Sequence, residues 1–313
     1  MILRSSSAII PFSTGQLNMA AHGKANALIF HTTVSKFSNL VTDLDTIAAI
    51  GFDGIELGAD KLEAYLASGY GADDLKALLE DVYVPGMGFL TDIERQGRQA
   101  SEMYARADAL FELATLSGAQ GVQVLTGPVD VRSVVEWTQT GRTDRYAGVL
   151  GLPHARQIAV TAKNLARLAD MAAERGLVLY LEALSWAPVS GIDKSIQLID
   201  AAGRDNVKIV IDYWHCHTSG VTPDDIAKLD ARIIHGVHVC DLLPFPGGIP
   251  DEQVLRDVPT GEGVIDLQQW TDAVKATGYR GWWSCELFCR KQQQQNAATV
   301  AAQLKRLLAR LVA

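Results

Sequence analysis

Residues 177–182 read LVLYLE, and residues 207–212 read VKIVID. Each stretch is a short apolar run that ends in an acid, and helical sequence follows each of them, at residues 193–202 and from Pro223 onward. Short continuous apolar runs that alternate with helices are typical of strands buried in a parallel sheet. These two units therefore predict an α/β fold.

The same unit recurs along the chain, and eight strands are predicted in all. They are Ala27–Thr33, Gly54–Leu57, Val82–Phe89, Gly121–Leu125, Leu177–Glu182, Val207–Asp212, Ile234–Cys240 and Gly281–Glu286. Eight strand–helix units in one chain of this length predict a (β/α)8 TIM barrel forming a single domain. The alternative is a doubly wound open sheet. No G-x-G-x-x-G follows the first strand and no G-x-x-x-x-G-K-[ST] occurs, which disfavours it.

The barrel is expected to span residues 27–313, after a flexible N-terminal extension at residues 1–26. This extension contains no acid, since the first acidic residue of the chain is Asp43. An acid-poor, serine-containing start is also compatible with an organellar transit peptide, but it contains few arginines. A flexible tail is the favoured interpretation.

Composition excludes several classes of protein. The formal net charge is −8, which is unfavourable for a nucleic-acid partner because phosphate binding requires clustered cations. No apolar stretch is long enough to span a membrane. Four cysteines in 313 residues do not form a disulfide scaffold, so a cytoplasmic location is the default expectation.

Four successive predicted strands carry a candidate metal ligand at or near their carboxyl ends, where TIM barrels place their active sites. They are Glu182, Asp212, His238 and Glu286. Three carboxylates and one imidazole suit a hard or borderline divalent ion. We expect Mn²⁺, Mg²⁺ or Co²⁺, with Zn²⁺ as a further option.

Strand alternation selects among neighbouring candidates. His238 shares a strand face with Gly236, whereas His235 is expected on the opposite face as a hydrogen-bonded core residue. Glu286 shares a face with Ser284. Glu56, at the end of the second strand, is expected to be solvated or ion-paired.

Several motifs, in this order, resemble the xylose isomerase-like TIM-barrel superfamily of sugar isomerases, epimerases and inosose dehydratases, which also includes endonuclease IV. They are GFDGIEL, LYLEAL, IDYWH, HGVHVCD, GEGVIDL and GYRGWWSCELF. The resemblance covers roughly residues 27–311. It implies that Glu182, Asp212, His238 and Glu286 hold one divalent metal. It also implies that His215 contacts substrate or supports the site, and that Asp241 supports the site.

The expected activity is isomerisation or epimerisation of a keto-sugar or cyclitol by proton abstraction α to a carbonyl. Similar epimerases use the equivalents of Glu182 and Glu286 as ligands and as the acid/base pair, and His215 is the third candidate catalytic residue. The candidate substrate-binding residues are His31, Trp186, His215, Asp241 and Arg256.

The main alternative is a lyase on the same barrel, such as an inosose or dehydroshikimate-type dehydratase or the barrel subunit of a 3-keto C-glycoside deglycosidase. Ketose 3-epimerases usually carry an arginine six residues after the strand-seven histidine, and Pro244 occupies that position here. An endonuclease IV-like nuclease and a non-catalytic sugar-binding barrel are weaker alternatives. A homodimer or homotetramer is expected, or a small partner subunit if the protein is a deglycosidase.

Overall fold

Eight parallel strands close into a barrel, because the last strand pairs with the first as well as with the seventh. The computed structural model describes residues 24–313, so nearly all of the predicted N-terminal extension, residues 1–26, lies outside the described residues. The TIM-barrel prediction is confirmed.

The bounds of the strands are β1 Ala27–His31, β2 Gly54–Gly58, β3 Gly86–Leu90, β4 Gly121–Leu125, β5 Val178–Glu182, β6 Val207–Asp212, β7 Ile234–His238 and β8 Trp282–Ser284. The bounds of the helices are α1 Leu40–Ile50, α2 Ala59–Ala67, α3 Ala72–Leu79, α4 Gly97–Leu116, α5 Val131–Thr140, α6 His154–Ala173, α7 Ile192–Ala202, α8 Tyr213–Thr218, α9 Pro223–Ile226, α10 Glu252–Leu255, α11 Leu267–Ala276, α12 Arg290–Gln293 and α13 Ala297–Val312. Short 3-10 helices occupy Thr32–Ser35 and Ala231–Ile233.

The largest difference from the predicted elements lies between β4 and α6. The structure forms α5 there, a helix that the sequence patterns do not predict, and the side chain of Asp130 caps its first turn. A smaller difference concerns β8, which ends at Ser284. Glu286 therefore lies two residues beyond the strand, still at its carboxyl end.

The barrel interior is filled by a few large side chains that face glycines. Tyr180 of β5 and Trp282 of β8 belong to the interior cluster. A Cβ atom at Gly86 would lie 2.4 Å from the Tyr180 hydroxyl, and one at Gly236 would lie 2.0 Å from the Trp282 ring. Glycine at these two positions therefore makes room for the two rings.

One facing prediction is wrong. The pairing of β6 with β7 is irregular between residues 209 and 210, where the partner in β7 moves from Ile234 to Gly236 and skips His235. This bulge turns the His235 ring into the barrel, where it stacks on Tyr180 with 4.9 Å between ring centroids. His235 is nevertheless a hydrogen-bonded core residue, as expected, because Nε2 lies 2.9 Å from the carbonyl oxygen of Pro85.

Among the helices of residues 24–313, none combines the length and the apolar character that crossing a membrane requires.

Candidate active site

Four buried side chains converge at the carboxyl ends of β5 to β8. They are Glu182, Asp212, His238 and Glu286, and each offers one ligand atom within 4.8 Å of the others. His238 Nδ1 lies 3.7 Å from Glu182 Oε1, 3.9 Å from Asp212 Oδ2 and 3.8 Å from Glu286 Oε2. The structure therefore brings together all four predicted metal ligands.

Within residues 24–313, two atoms of this cluster have no hydrogen-bond partner although both are buried. They are Glu182 Oε1 and His238 Nδ1. Burying such groups without a partner is costly, and buried charges are normally paired or bound to a metal. Three carboxylates and one imidazole nitrogen also form a donor set suited to a divalent ion. The residues present thus fit the metal that the sequence predicts.

The other oxygens of the two glutamates are held in place. Gln123 of β4 donates its amide to Glu182 Oε2 at 3.0 Å, and the Arg256 guanidinium donates to Glu286 Oε2 at 2.8 Å. Gln123 was missed by sequence reasoning, although a single amide inside the apolar strand GVQVL was a usable signal. Among the residues that the structure describes, no donor forms a hydrogen bond to Oε1 of either glutamate.

Asp212 is held by backbone and side-chain donors. Its Oδ1 accepts the backbone N–H of His215 at 2.7 Å, and Arg256 Nη2 lies 3.3 Å from its Oδ2. Burial acts to raise its pKa, but the positive charge of Arg256, with His215 and His238, outweighs burial and lowers the pKa of Asp212 to about 2. Burial dominates at Glu182 and raises the pKa of that carboxyl. The site therefore combines a carboxylate that stays ionised with one that takes up a proton more readily.

Glu56 was expected to be either solvated or ion-paired, and the structure excludes the solvated state. It is 1% exposed and faces the barrel interior. His238 Nε2 lies 3.1 and 3.0 Å from its two oxygens, and Tyr180 and Ser284 donate hydroxyl hydrogen bonds to it at 2.8 and 3.1 Å. The alternative expectation, an ion pair, agrees with these contacts. Burial acts to raise the pKa of Glu56, but His238 and His31 outweigh burial and lower it to about 2.

A cavity of about 390 Å³ adjoins the cluster on the side of β1 to β4. His31 and Glu286 line it, together with Phe89 and Phe288. Nδ1 of His31 accepts the backbone N–H of Thr33 at 3.1 Å, and its Nε2 lies 3.8 Å from Glu286 Oε1. His31 thus lies beside Glu286 on the cavity wall, and its predicted contact with substrate stays a prediction. The two phenylalanines were not identified from the sequence as site residues.

His215 and Trp186 form the opposite side of the site. His215 Nδ1 accepts the backbone N–H of Ser185 at 3.2 Å, so Nε2 carries the proton of the neutral ring. Trp186 packs against His215 with ring centroids 5.5 Å apart, and its indole N–H donates to the carbonyl of Pro128 at 2.7 Å. Substrate contact by either residue stays a prediction.

Asp241 faces the loop after β7, and its predicted contact with substrate stays a prediction. Its oxygens accept the backbone N–H groups of Leu242, Gly261, Gly263 and Ile265 at 2.8 to 3.2 Å. Because both oxygens are engaged, Asp241 anchors the loop after β7, which agrees with the supporting role that the resemblance implies. Arg256 lies on the same loop. Its contacts with Asp212 and Glu286 place it beside the metal ligands, and its predicted contact with substrate oxygens stays a prediction.

Curated relatives share most of this chain. The inosose isomerase of Halalkalibacterium halodurans is 26% identical over 277 residues, which cover 85% of this chain and 88% of that protein. The 3-dehydroshikimate dehydratase of Pseudomonas aeruginosa is 28% identical over 261 residues, covering 82% of this chain. This chain spans only 37% of the length of that dehydratase.

Solved structures share the fold. The crystal structure of the IOLI protein with a binding zinc atom superimposes with a TM-score of 0.77 at 22% identity, covering 91% of this chain and 98% of that one. The 3-keto-D-glucoside 4-epimerase of E. coli superimposes with a TM-score of 0.68 at 16% identity, covering 91% of this chain and 99% of that one. The model of the xylose isomerase-like TIM barrel family matches residues 44–310, and this chain belongs to that family.

Proposed function

We propose that this protein is a divalent-metal-dependent isomerase or epimerase that acts on a neutral keto-cyclitol or keto-sugar. The observation that carries the proposal is the buried cluster in which Glu182 Oε1 and His238 Nδ1 lack hydrogen-bond partners in the described part of the chain. The likeness to inosose isomerase supports the cyclitol substrate class. Glu182, Asp212, His238 and Glu286 would hold the metal, which when bound supplies Lewis-acid stabilisation of the charge that develops on a substrate carbonyl oxygen.

The protein's own contribution is proton transfer by two anchored glutamates. Glu286 takes the proton from the carbon α to the carbonyl at Oε1, the oxygen that Arg256 leaves free. Glu182 returns a proton to the substrate, and Gln123 fixes the orientation of its carboxyl by holding Oε2. Anchoring one oxygen fixes the direction of the other, and a positioned carboxylate of this kind contributes about 10²–10⁴-fold to a rate.

The charge of the cavity supports a neutral substrate. Its walls carry three cations, Lys36, Lys61 and Arg106, and three acids, Asp60, Glu63 and Glu286. Lys61 is paired with Asp43, and Arg106 Nη1 lies 2.6 Å from Glu63 Oε1. Two of the three cations are therefore already neutralised, which is unfavourable for a substrate that bears a carboxylate or phosphate. The exposed face of Phe89 offers an apolar surface to the C–H bonds of a polyhydroxylated ring.

The test is deuterium exchange at the α-carbon. The protein is stripped of metal, reloaded with Mn²⁺, Mg²⁺, Co²⁺ or Zn²⁺ in turn, and incubated in D₂O with inososes, ketoses and 3-dehydroshikimate while NMR follows exchange. We expect metal-dependent exchange with an inosose or ketose and retention of all its oxygens. Glu182→Gln and Glu286→Gln should each slow the exchange by at least about 10²-fold, whereas Glu112→Gln, on the exposed face of α4, should not change it. Equal exchange in all four proteins would contradict the proposal.

The second candidate is a dehydratase-type lyase, favoured by the likeness to 3-dehydroshikimate dehydratase and by Pro244. It would show α-proton loss followed by loss of water in the same assay. The oligomeric state, the cytoplasmic location and the absence of a nucleic-acid partner stay predictions.

A further inference from the structure

Glu56 has no place in the proton transfer proposed above, yet it is in direct contact with a metal ligand. It lies on β2, across the barrel from β7, and both of its oxygens are within 3.1 Å of His238 Nε2. A carboxylate can only accept hydrogen bonds, so the Nε2 atom of His238 must be the donor.

This contact determines which nitrogen of His238 faces the cluster. With one proton held on Nε2, Nδ1 is the nitrogen left to bind a metal, and it is the buried atom that has no partner among the described residues. Nδ1 is also the atom that lies 3.7 to 3.9 Å from the three carboxylates. A metal-binding histidine commonly donates its other N–H to a carboxylate in this way, which fixes both its tautomer and its ring orientation.

Glu56 is itself held from two further strands. Tyr180 of β5 donates to Oε1 at 2.8 Å, and Ser284 of β8 donates to Oε2 at 3.1 Å. Together with His238 these donors connect β2, β5, β7 and β8 across the closed barrel. The carboxylate therefore has a fixed orientation before any metal arrives.

We propose that Glu56 is a positioning residue that holds His238 as an Nδ1 ligand. The inference rests on the metal site of the proposed function, but not on the reaction, because its test uses Zn²⁺ and no substrate.

One competing arrangement uses the same atoms. His31, Glu56 and His238 could themselves hold a second ion. The hydrogen bonds from Tyr180 and Ser284 already occupy the Glu56 oxygens, and a second ion on Nε2 would require His238 to lose its remaining N–H proton. The structure therefore favours the positioning role, and metal stoichiometry distinguishes the two arrangements.

The first measurement is Zn²⁺ affinity and stoichiometry by competition with a chelator. We expect one Zn²⁺ per chain, and a Kd that rises about 10-fold in Glu56→Gln and up to about 100-fold in Glu56→Ala, the range found when partners of metal-binding histidines are removed. Asp43→Asn is the matched control, because Asp43 is an equally buried, ion-paired carboxylate without a contact to the four metal ligands. It should leave the Kd unchanged.

The second measurement needs no variant. Nitrogen-15 NMR of the histidines in the zinc-loaded protein should show His238 protonated on Nε2 and coordinated through Nδ1. Coordination through Nε2 would overturn the proposal, as would an unchanged Kd in Glu56→Ala. Two Zn²⁺ per chain, falling to one in Glu56→Gln, would make Glu56 a ligand of a second ion and would overturn it as well. All of these outcomes can be measured even if the protein is inactive on every sugar tested.

Discussion

Arg256 provides a stringent test of the electrostatics of the site. Its side chain is almost fully buried, and Nη2 lies 2.8 Å from Glu286 Oε2 and 3.3 Å from Asp212 Oδ2. The guanidinium also lies 4.2 Å from the centre of the Phe288 ring. Arg256→Met keeps much of the apolar length of the side chain and removes the charge. In the metal-free protein, this substitution leaves the buried carboxylates of Glu286 and Asp212 without their cation.

The expected loss follows from this burial. Removing one partner of a buried ion pair costs about 3–5 kcal/mol, because the remaining charge stays buried without compensation. For a chain of this length, 1 kcal/mol corresponds to roughly 2 °C in Tm, so the metal-free variant should melt roughly 6–10 °C below the parent protein. A bound divalent cation would compensate the same carboxylates. The deficit should therefore shrink when Mn²⁺ is added.

The assay is thermal unfolding at pH 7.5, with chelator and with excess Mn²⁺. The matched control is Arg145→Met, which breaks the exposed pair between Arg145 and Glu136 and should leave Tm unchanged within error. A metal-free Arg256→Met protein that melts within about 2 °C of the parent would refute the reasoning, since a buried pair cannot be lost at so small a cost. A deficit that is equal with and without Mn²⁺ would refute the link between Arg256 and the metal site.

Three further changes have predictable effects. Burial raises the pKa of Glu94 to about 7 from 4.5, so this group stabilises the fold below about pH 4.5 and that stabilisation is lost as the pH rises to about 7. Between pH 5 and pH 7 the loss is about 2 kcal/mol; urea unfolding at these two pH values should show it in the parent, and the change should be smaller by that amount in Glu94→Gln. Asp241→Asn removes an acceptor of the backbone N–H groups that anchor the loop after β7 and should cost about 2–4 kcal/mol in urea unfolding; equal stability would show that the loop does not depend on it. Gly86→Ala places a Cβ atom 2.4 Å from the Tyr180 hydroxyl and should cost about 1–3 kcal/mol by the same measurement.

Sequence patterns predict this fold well because a barrel strand is a local signal. The bounds of β4 and β6 were predicted as the structure has them, since each run of β-branched and apolar residues is sharply delimited. The four candidate metal ligands were found for a related reason. Parallel strands bring their carboxyl ends together, so polar residues at the ends of successive apolar runs must meet.

What the sequence could not show depends on contacts across the closed barrel. Glu56 and His238 are 182 residues apart, and nothing local marks them as partners. The bulge that turns His235 inward depends on how β7 pairs with β6, and strict strand alternation therefore assigned the wrong face. The roles of Arg256 and Asp241 depend on the path of the loop after β7, which no periodic pattern predicts.

The central claim is that Glu182, Asp212, His238 and Glu286 hold one metal ion. The most direct test is anomalous diffraction at the zinc absorption edge from crystals of the zinc-loaded protein. The account predicts a single anomalous peak within coordination distance of His238 Nδ1 and the three carboxylates. No peak at this cluster, or a peak only between His31 and Glu56, would contradict it.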